Sequence, residues 1–115
     1  MGTRRLIVEK VMAKVAEGLT GSLIALNSDA GASPVLLAVV EEFYRKFAKT
    51  QDAIVGADVR LSREGLIELE QAADSARYAA LADKGVATDT RELIVETHDW
   101  VCIYKQTGRL LRPDD

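Results

Sequence analysis

Apolar residues recur at three- and four-residue spacing in four successive stretches of this chain, and turn-forming residues separate the stretches. That periodicity places the apolar side chains of each stretch on one face of an α-helix, and such a face must be buried against something. The first set is Val8, Val11, Met12, Val15 and Leu19, with Thr3 as N-cap and a helix running to about Glu17. Gly18 and Gly21 weaken the pattern there. Residues 22–33 hold Leu23, Ile24, Ala25 and Leu26, then the turn-forming cluster Asn27, Ser28, Asp29 and Gly31, and read as either helix or strand.

Ser33-Pro34 predicts a helix start, because proline at the first helical position gives up an N–H that has no intrahelical acceptor. The stripe that follows is Leu36, Leu37, Val40, Phe43, Tyr44, Phe47, Ile54 and Val55, ending at Gly56. Glu41 to Arg45 and Glu42 to Lys46 are spaced as i,i+4 ion pairs on the other side. After a connection over Asp58 to Leu61, Ser62 is the expected cap of a third helix, with Leu61 and Leu66 as a hydrophobic staple and Gly85 as its stop after Lys84. Its inner face, Leu66, Leu69, Ala72, Ala73, Ala76 and Ala80, is mostly alanine, which invites close helix approach. Thr88 or Asp89 opens the fourth helix and Gly108 closes it, with Leu93, Ile94, Thr97, Trp100, Val101 and Tyr104 along one face.

Four amphipathic helices joined by short connections predict an all-α, antiparallel four-helix bundle, a single domain over residues 1–115 with a solvated tail from about 109. No internal repeat or low-complexity tract stands out. The alternative is α+β with a C-terminal hairpin, since Leu23 to Asn27, Ile54 to Leu61 and Trp100 to Tyr104 have strand propensity. Glu92 to Glu96 and Trp100 to Tyr104, turning at His98-Asp99, resemble the strand pair that follows a helix in roadblock-type dimerisation domains. This chain departs from that family in having two long helical patterns where the family has one, and no third terminal helix.

Composition removes several chemistries. At 115 residues and 12.5 kDa the chain is long enough for one self-sufficient core. Its 15 basic and 18 acidic residues are interspersed, so no strong positive field gathers phosphates and nucleic-acid binding is disfavoured. Arg4, Arg5, Lys10 and Lys14 form a basic N-terminal segment that a DNA-binding regulator could use, though no helix-turn-helix accompanies it. Cys102 is the one cysteine, which suits a reducing, cytoplasmic setting and rules out an internal disulfide. No apolar run reaches membrane-spanning length, and Glu9, Lys10 and Lys14 interrupt any secretory signal.

No catalytic set, metal site or cofactor is expected. The sole histidine cannot assemble a metal centre alone, no Glu-x-x-His occurs for a di-iron site, and no Gly-rich phosphate cradle is present. Acidic groups such as Glu64 with Glu68, or Glu92, Glu96 and Asp99, fall opposite the apolar stripes. His98 and Cys102 share a helix face at i,i+4 spacing, the arrangement of a Cys–His pair. A helical His98 in an acidic bundle is also similar to the histidine phosphotransfer domains, which would imply a phosphoryl carrier. That family usually places lysine three and glycine four residues after the histidine; here those positions are Val101 and Cys102, with Lys105 two turns on.

The surplus apolar surface is more informative. Ile67, Tyr78 and Leu81 form a second stripe on the third helix, and Val95, His98, Cys102 and Ile103 widen the apolar arc of the fourth. Extra apolar surface of this kind marks an interface with a protein partner or with another copy of the chain, as in a homodimer. The expected function is therefore a non-enzymatic helical interaction module, an adaptor or regulator that self-associates.

Overall fold

The structure is a computed structural model that describes residues 2–110, with side chains described from 7 to 106. It contains four α-helices, α1 (Gly2–Asn27), α2 (Pro34–Val55), α3 (Val59–Ala82) and α4 (Thr88–Leu110), and no strand among the described residues. Each helix packs against the next and α4 closes back onto α1, while the backbones of the diagonal pairs stay apart. This is the antiparallel four-helix bundle. The hairpin alternative is overturned, because residues 92–106 lie within α4. Residues 22–27 continue α1, and 28–33 form the turn.

The first helix extends ten residues past the expected end at Glu17 and already includes Thr3, which therefore does not cap it. Gly18 and Gly21 are contact points rather than breaks. A Cβ on Gly18 would collide with the Thr97 hydroxyl, and one on Gly21 would stand 3.1 Å from Leu93 Cδ2. Tertiary contact thus repays the propensity lost at these glycines. On the opposite flank Gly65 of α3 faces Thr50 of α2, where a Cβ would come within 2.8 Å of the Thr50 hydroxyl oxygen. The closest helix pairs are accordingly α1 with α4 and α2 with α3.

Helix α2 starts as expected, with the Ser33 hydroxyl oxygen accepting from Val35 N–H at 3.1 Å and Pro34 next in line. Arg45 turns to Glu42 at 2.7 Å rather than to Glu41, whereas the Glu42–Lys46 pair forms at 3.8 Å. Lys46 and Lys49 both reach across to Glu68 of α3, holding its carboxyl below its ordinary range. Tyr44 and Val55, expected inside, are exposed. Asp58, not Ser62, caps α3: its carboxylate accepts from Leu61 N–H at 2.9 Å and so starts the helix four residues earlier. Residues 111–115 lie outside the described residues, as does most of the expected tail; α4 itself continues through Gly108 to Leu110.

The two helical hairpins repeat one another 54 residues apart. Buried Val15, Leu19, Leu26, Val40, Phe47 and Thr50 recur as buried Leu69, Ala73, Ala80, Ile94, Val101 and Tyr104. Only five positions are identical at this offset, Gly2/Gly56, Ala25/Ala79, Asp29/Asp83, Gly31/Gly85 and Glu42/Glu96, so the repeat is carried by burial rather than by residue type. Two of the five hold the hairpins together. Asp83 accepts from Ser33 N–H at 2.8 Å, at the cap of α2, and Asp29 accepts from Ala87 N–H at 2.8 Å, just ahead of α4. Each aspartate also accepts from the glycine two residues on, Gly31 or Gly85, at 2.9 Å. Those two glycines are pressed together, each so close to the carbonyl of the other that neither has room for a side chain. Helix α4 opens at Thr88, as expected, and the backbone N–H of Ala87 just ahead of it is satisfied from the other hairpin.

At the other end, residues 56–58 reverse the chain between the hairpins. Asp58 N–H bonds Ala53 C=O and Ala57 N–H bonds Ile54 C=O, both at 3.0 Å, the pattern of a Schellman cap. Ala57 takes the left-handed position of that cap, with φ 56°, where glycine is usual.

Two stability experiments follow from these contacts. Gly18→Ala should lower stability by about 1–3 kcal/mol through overpacking, and adding Thr97→Ala should recover part of the loss; simple additivity in thermal melts would contradict the close approach. The Ser33 N–H bond, with those from Gly85 and Val86, holds the Asp83 carboxyl below its ordinary value of 3.8. A carboxyl depressed on folding stabilises above its unfolded pKa and loses that contribution as pH falls through the folded one. Asp83→Ala should therefore lower the melting temperature at pH 7, with the gap to wild type closing below about pH 4.

Candidate functional site

The expected interface residues gather along the outer seam between α3 and α4. Three contacts set the register of this pair: Asp74 with His98, Glu70 with Lys105, and the Arg91 guanidinium on the Ala80 carbonyl. On that register Tyr78 lies level with Val95, and Leu81 level with Arg91. Tyr78 is 71% exposed, Ile67 59% and Leu81 50%, so the α3 stripe faces solvent and contributes little to the core. Val95, His98 and Cys102 are half-buried at the seam. Ile103 is exposed too, one turn on from Asp99 along the same side of α4.

A polar row crosses the middle of the apolar strip. The His98 ring, 14% exposed, meets the Asp74 carboxylate through Nε2 at 2.8 Å and the Asp99 carboxylate through Nδ1 at 3.0 Å. Both ring nitrogens are thus engaged. The Cys102 sulfur lies 3.9 Å from Nε2. Burial, reinforced by the negative charges of Asp74, Asp99 and Glu70, pushes its thiol above the ordinary value of 9.0. A nucleophilic cysteine needs the opposite shift.

The arrangement is equally unfavourable for phosphoryl transfer. Nε2 is occupied by a carboxylate, and two acidic groups stand where a phosphoryl dianion would need counter-charge. No group of three or more metal-ligating side chains converges among the described residues. No helix there is long and apolar enough to cross a membrane. Within the basic N-terminal segment, Arg4 and Arg5 have side chains outside those described; Lys10 is exposed, and Lys14 is 3.8 Å from Glu17.

Asp74 escaped the sequence reading, although it sits on the same helical stripe as Ile67, Tyr78 and Leu81, seven residues after the first. A second groove, between α1 and α2, was also missed; Thr20, Leu23, Ile24, Asn27, Ser28 and Tyr44 line it. It is the repeat's counterpart of the α3–α4 seam, with Thr20, Ile24, Tyr44 and Ala48 at the positions of Asp74, Tyr78, His98 and Cys102. The acidic centre belongs to the α3–α4 side alone.

No protein-family model, curated protein or solved structure matches this chain.

The thiol environment can be measured directly. Cys102 should react with iodoacetamide at neutral pH more slowly than a free cysteine, and Asp74→Asn with Asp99→Asn should speed it; a rate above that of free cysteine would refute the seam electrostatics described here.

Proposed function

We propose that this protein is a non-catalytic helical interaction module, an adaptor or regulator, whose α3–α4 face docks a partner protein. The observation that carries this reading is the stripe of Ile67, Tyr78 and Leu81, large apolar side chains half or more exposed along about 21 Å of α3. Exposed aromatic and aliphatic anchors in a line are what a helix laid into a groove uses. Asp74 and Asp99, 50% and 66% exposed, add negative charge at the centre of the face. The partner suited to it is an amphipathic helix with apolar anchors flanking a lysine or arginine, which would pair with these carboxylates.

The phosphocarrier reading has less support, because both His98 nitrogens are already bonded to acidic groups. A DNA-binding role has less support as well, given the acidic balance of the chain. The docking reading is tested by point substitution. Tyr78→Asp or Leu81→Asp should leave the helical circular dichroism unchanged and abolish retention of a protein that co-purifies stoichiometrically with wild type. Ile24→Asp, on the other groove, should retain it. Equal retention by all three variants would sink the reading.

A further inference from the structure

We infer that two copies of this chain can exchange hairpins, α1–α2 of one completing a bundle with α3–α4 of the other. The close glycine approaches that bring helix and loop backbones together lie between hairpins, not within them. Gly18 against Thr97, Gly65 against Thr50, Lys46 with Glu68, and the crossed bonds of Asp29 and Asp83 all join one hairpin to the other. Two chains can remake every one of these contacts unchanged, because each hairpin keeps its own shape. The only covalent link between the hairpins is the reversal at residues 56–58.

That link is where closing one chain on itself is strained. Ala57 sits at φ 56°, in the left-handed region that disfavours any residue with a Cβ. The two bonds that turn the chain there, Asp58 N–H to Ala53 C=O and Ala57 N–H to Ile54 C=O, both require that conformation. When Ala57 returns to negative φ, the reversal is lost, α3 swings away from α2, and the hairpins are presented separately to a second copy. A short, strained hinge between two complementary halves is the situation that favours exchange. The exchanged dimer leaves both α3–α4 faces intact, since each lies within one hairpin, so it would carry two docking faces for the partner proposed above.

The experiment uses the full chain carrying Cys102→Ser, Lys46→Cys and Glu68→Cys, refolded at several hundred micromolar and treated with a short bis-maleimide. Light scattering should show a dimer fraction. Denaturing electrophoresis of that fraction should show covalent dimers, because positions 46 and 68 then meet across chains. Adding Ala57→Gly, which relieves the hinge, should shift the balance toward monomer by roughly fivefold per chain, while Tyr78→Asp should leave it unaltered. A protein that stays monomeric after refolding, or a dimer whose cross-links all fall within single chains, would overturn the inference. The second outcome would assign dimerisation to a surface contact, and its loss in Tyr78→Asp would place that contact on the α3–α4 face.

Discussion

The contact between the two loops at one end of the bundle sets everything else. Gly31 and Gly85 meet backbone to backbone, and the aspartate ahead of each reaches over to bind a backbone N–H of the opposite hairpin. A helix start leaves several N–H groups without intrahelical acceptors. Here two of the chain's helices have an N–H at the start bound from across the bundle, so ordering either hairpin end requires the other to be in place. The same contact fixes how far one hairpin slides along the other. It brings Gly18 level with Thr97 on one flank and Gly65 level with Thr50 on the other, and small residues at both points let the backbones close in. Within each hairpin the helices have no such glycine seam, and shallow outer grooves run between them.

Those grooves occupy equivalent places in the two hairpins but carry different residues. On the α1–α2 side the seam positions hold Thr20, Tyr44 and Ala48, a neutral set, whereas the α3–α4 side holds Asp74, His98 and Cys102. Large apolar side chains survive on both, Ile24 on one and Tyr78 on the other. Burial explains the repeat of core positions, but it cannot explain why only one groove gathers a histidine between two carboxylates. That asymmetry is what sets the α3–α4 groove apart from its counterpart. Burial, with the acidic neighbours behind it, pushes the Cys102 thiol up, and those neighbours would repel a phosphoryl group at His98.

Several local signals carried through to the structure and several did not, for reasons visible at particular residues. Ser33-Pro34 starts α2 because an N-cap hydroxyl and a proline act on their own backbone, independent of the rest of the fold. Gly18 read as a helix terminator because its helix propensity is poor, yet the helix runs through it where Thr97 needs the space. Ser62 read as a cap from its residue type and the Leu61–Leu66 staple spacing, while Asp58 reached the start of α3 first. The strand propensity of Trp100 to Tyr104 yielded to the burial of Val101 and Tyr104, which a strand would point to opposite faces. Tyr104 is fully enclosed, against Phe47 at 6.4 Å between ring centres, and its hydroxyl has no hydrogen-bond partner among the described residues. Burial raises its ionisation far above the usual phenol range.

The number of helices, their antiparallel succession and most of the apolar stripes are properties of the sequence by itself, because 3.6-residue periodicity and short connections leave few other ways to bury those faces. So too is the surplus of apolar residues on α3, since a stripe in excess of one buried face is countable along the chain. Which aspartate meets which N–H, why glycines sit in mid-helix, and the pairing of His98 with Asp74 were decided only by the tertiary structure. Each depends on two backbones brought together from 15 to 79 positions apart. The repeat of the hairpins belongs to the same class: it is written in which positions are buried, and burial is a property of the folded chain.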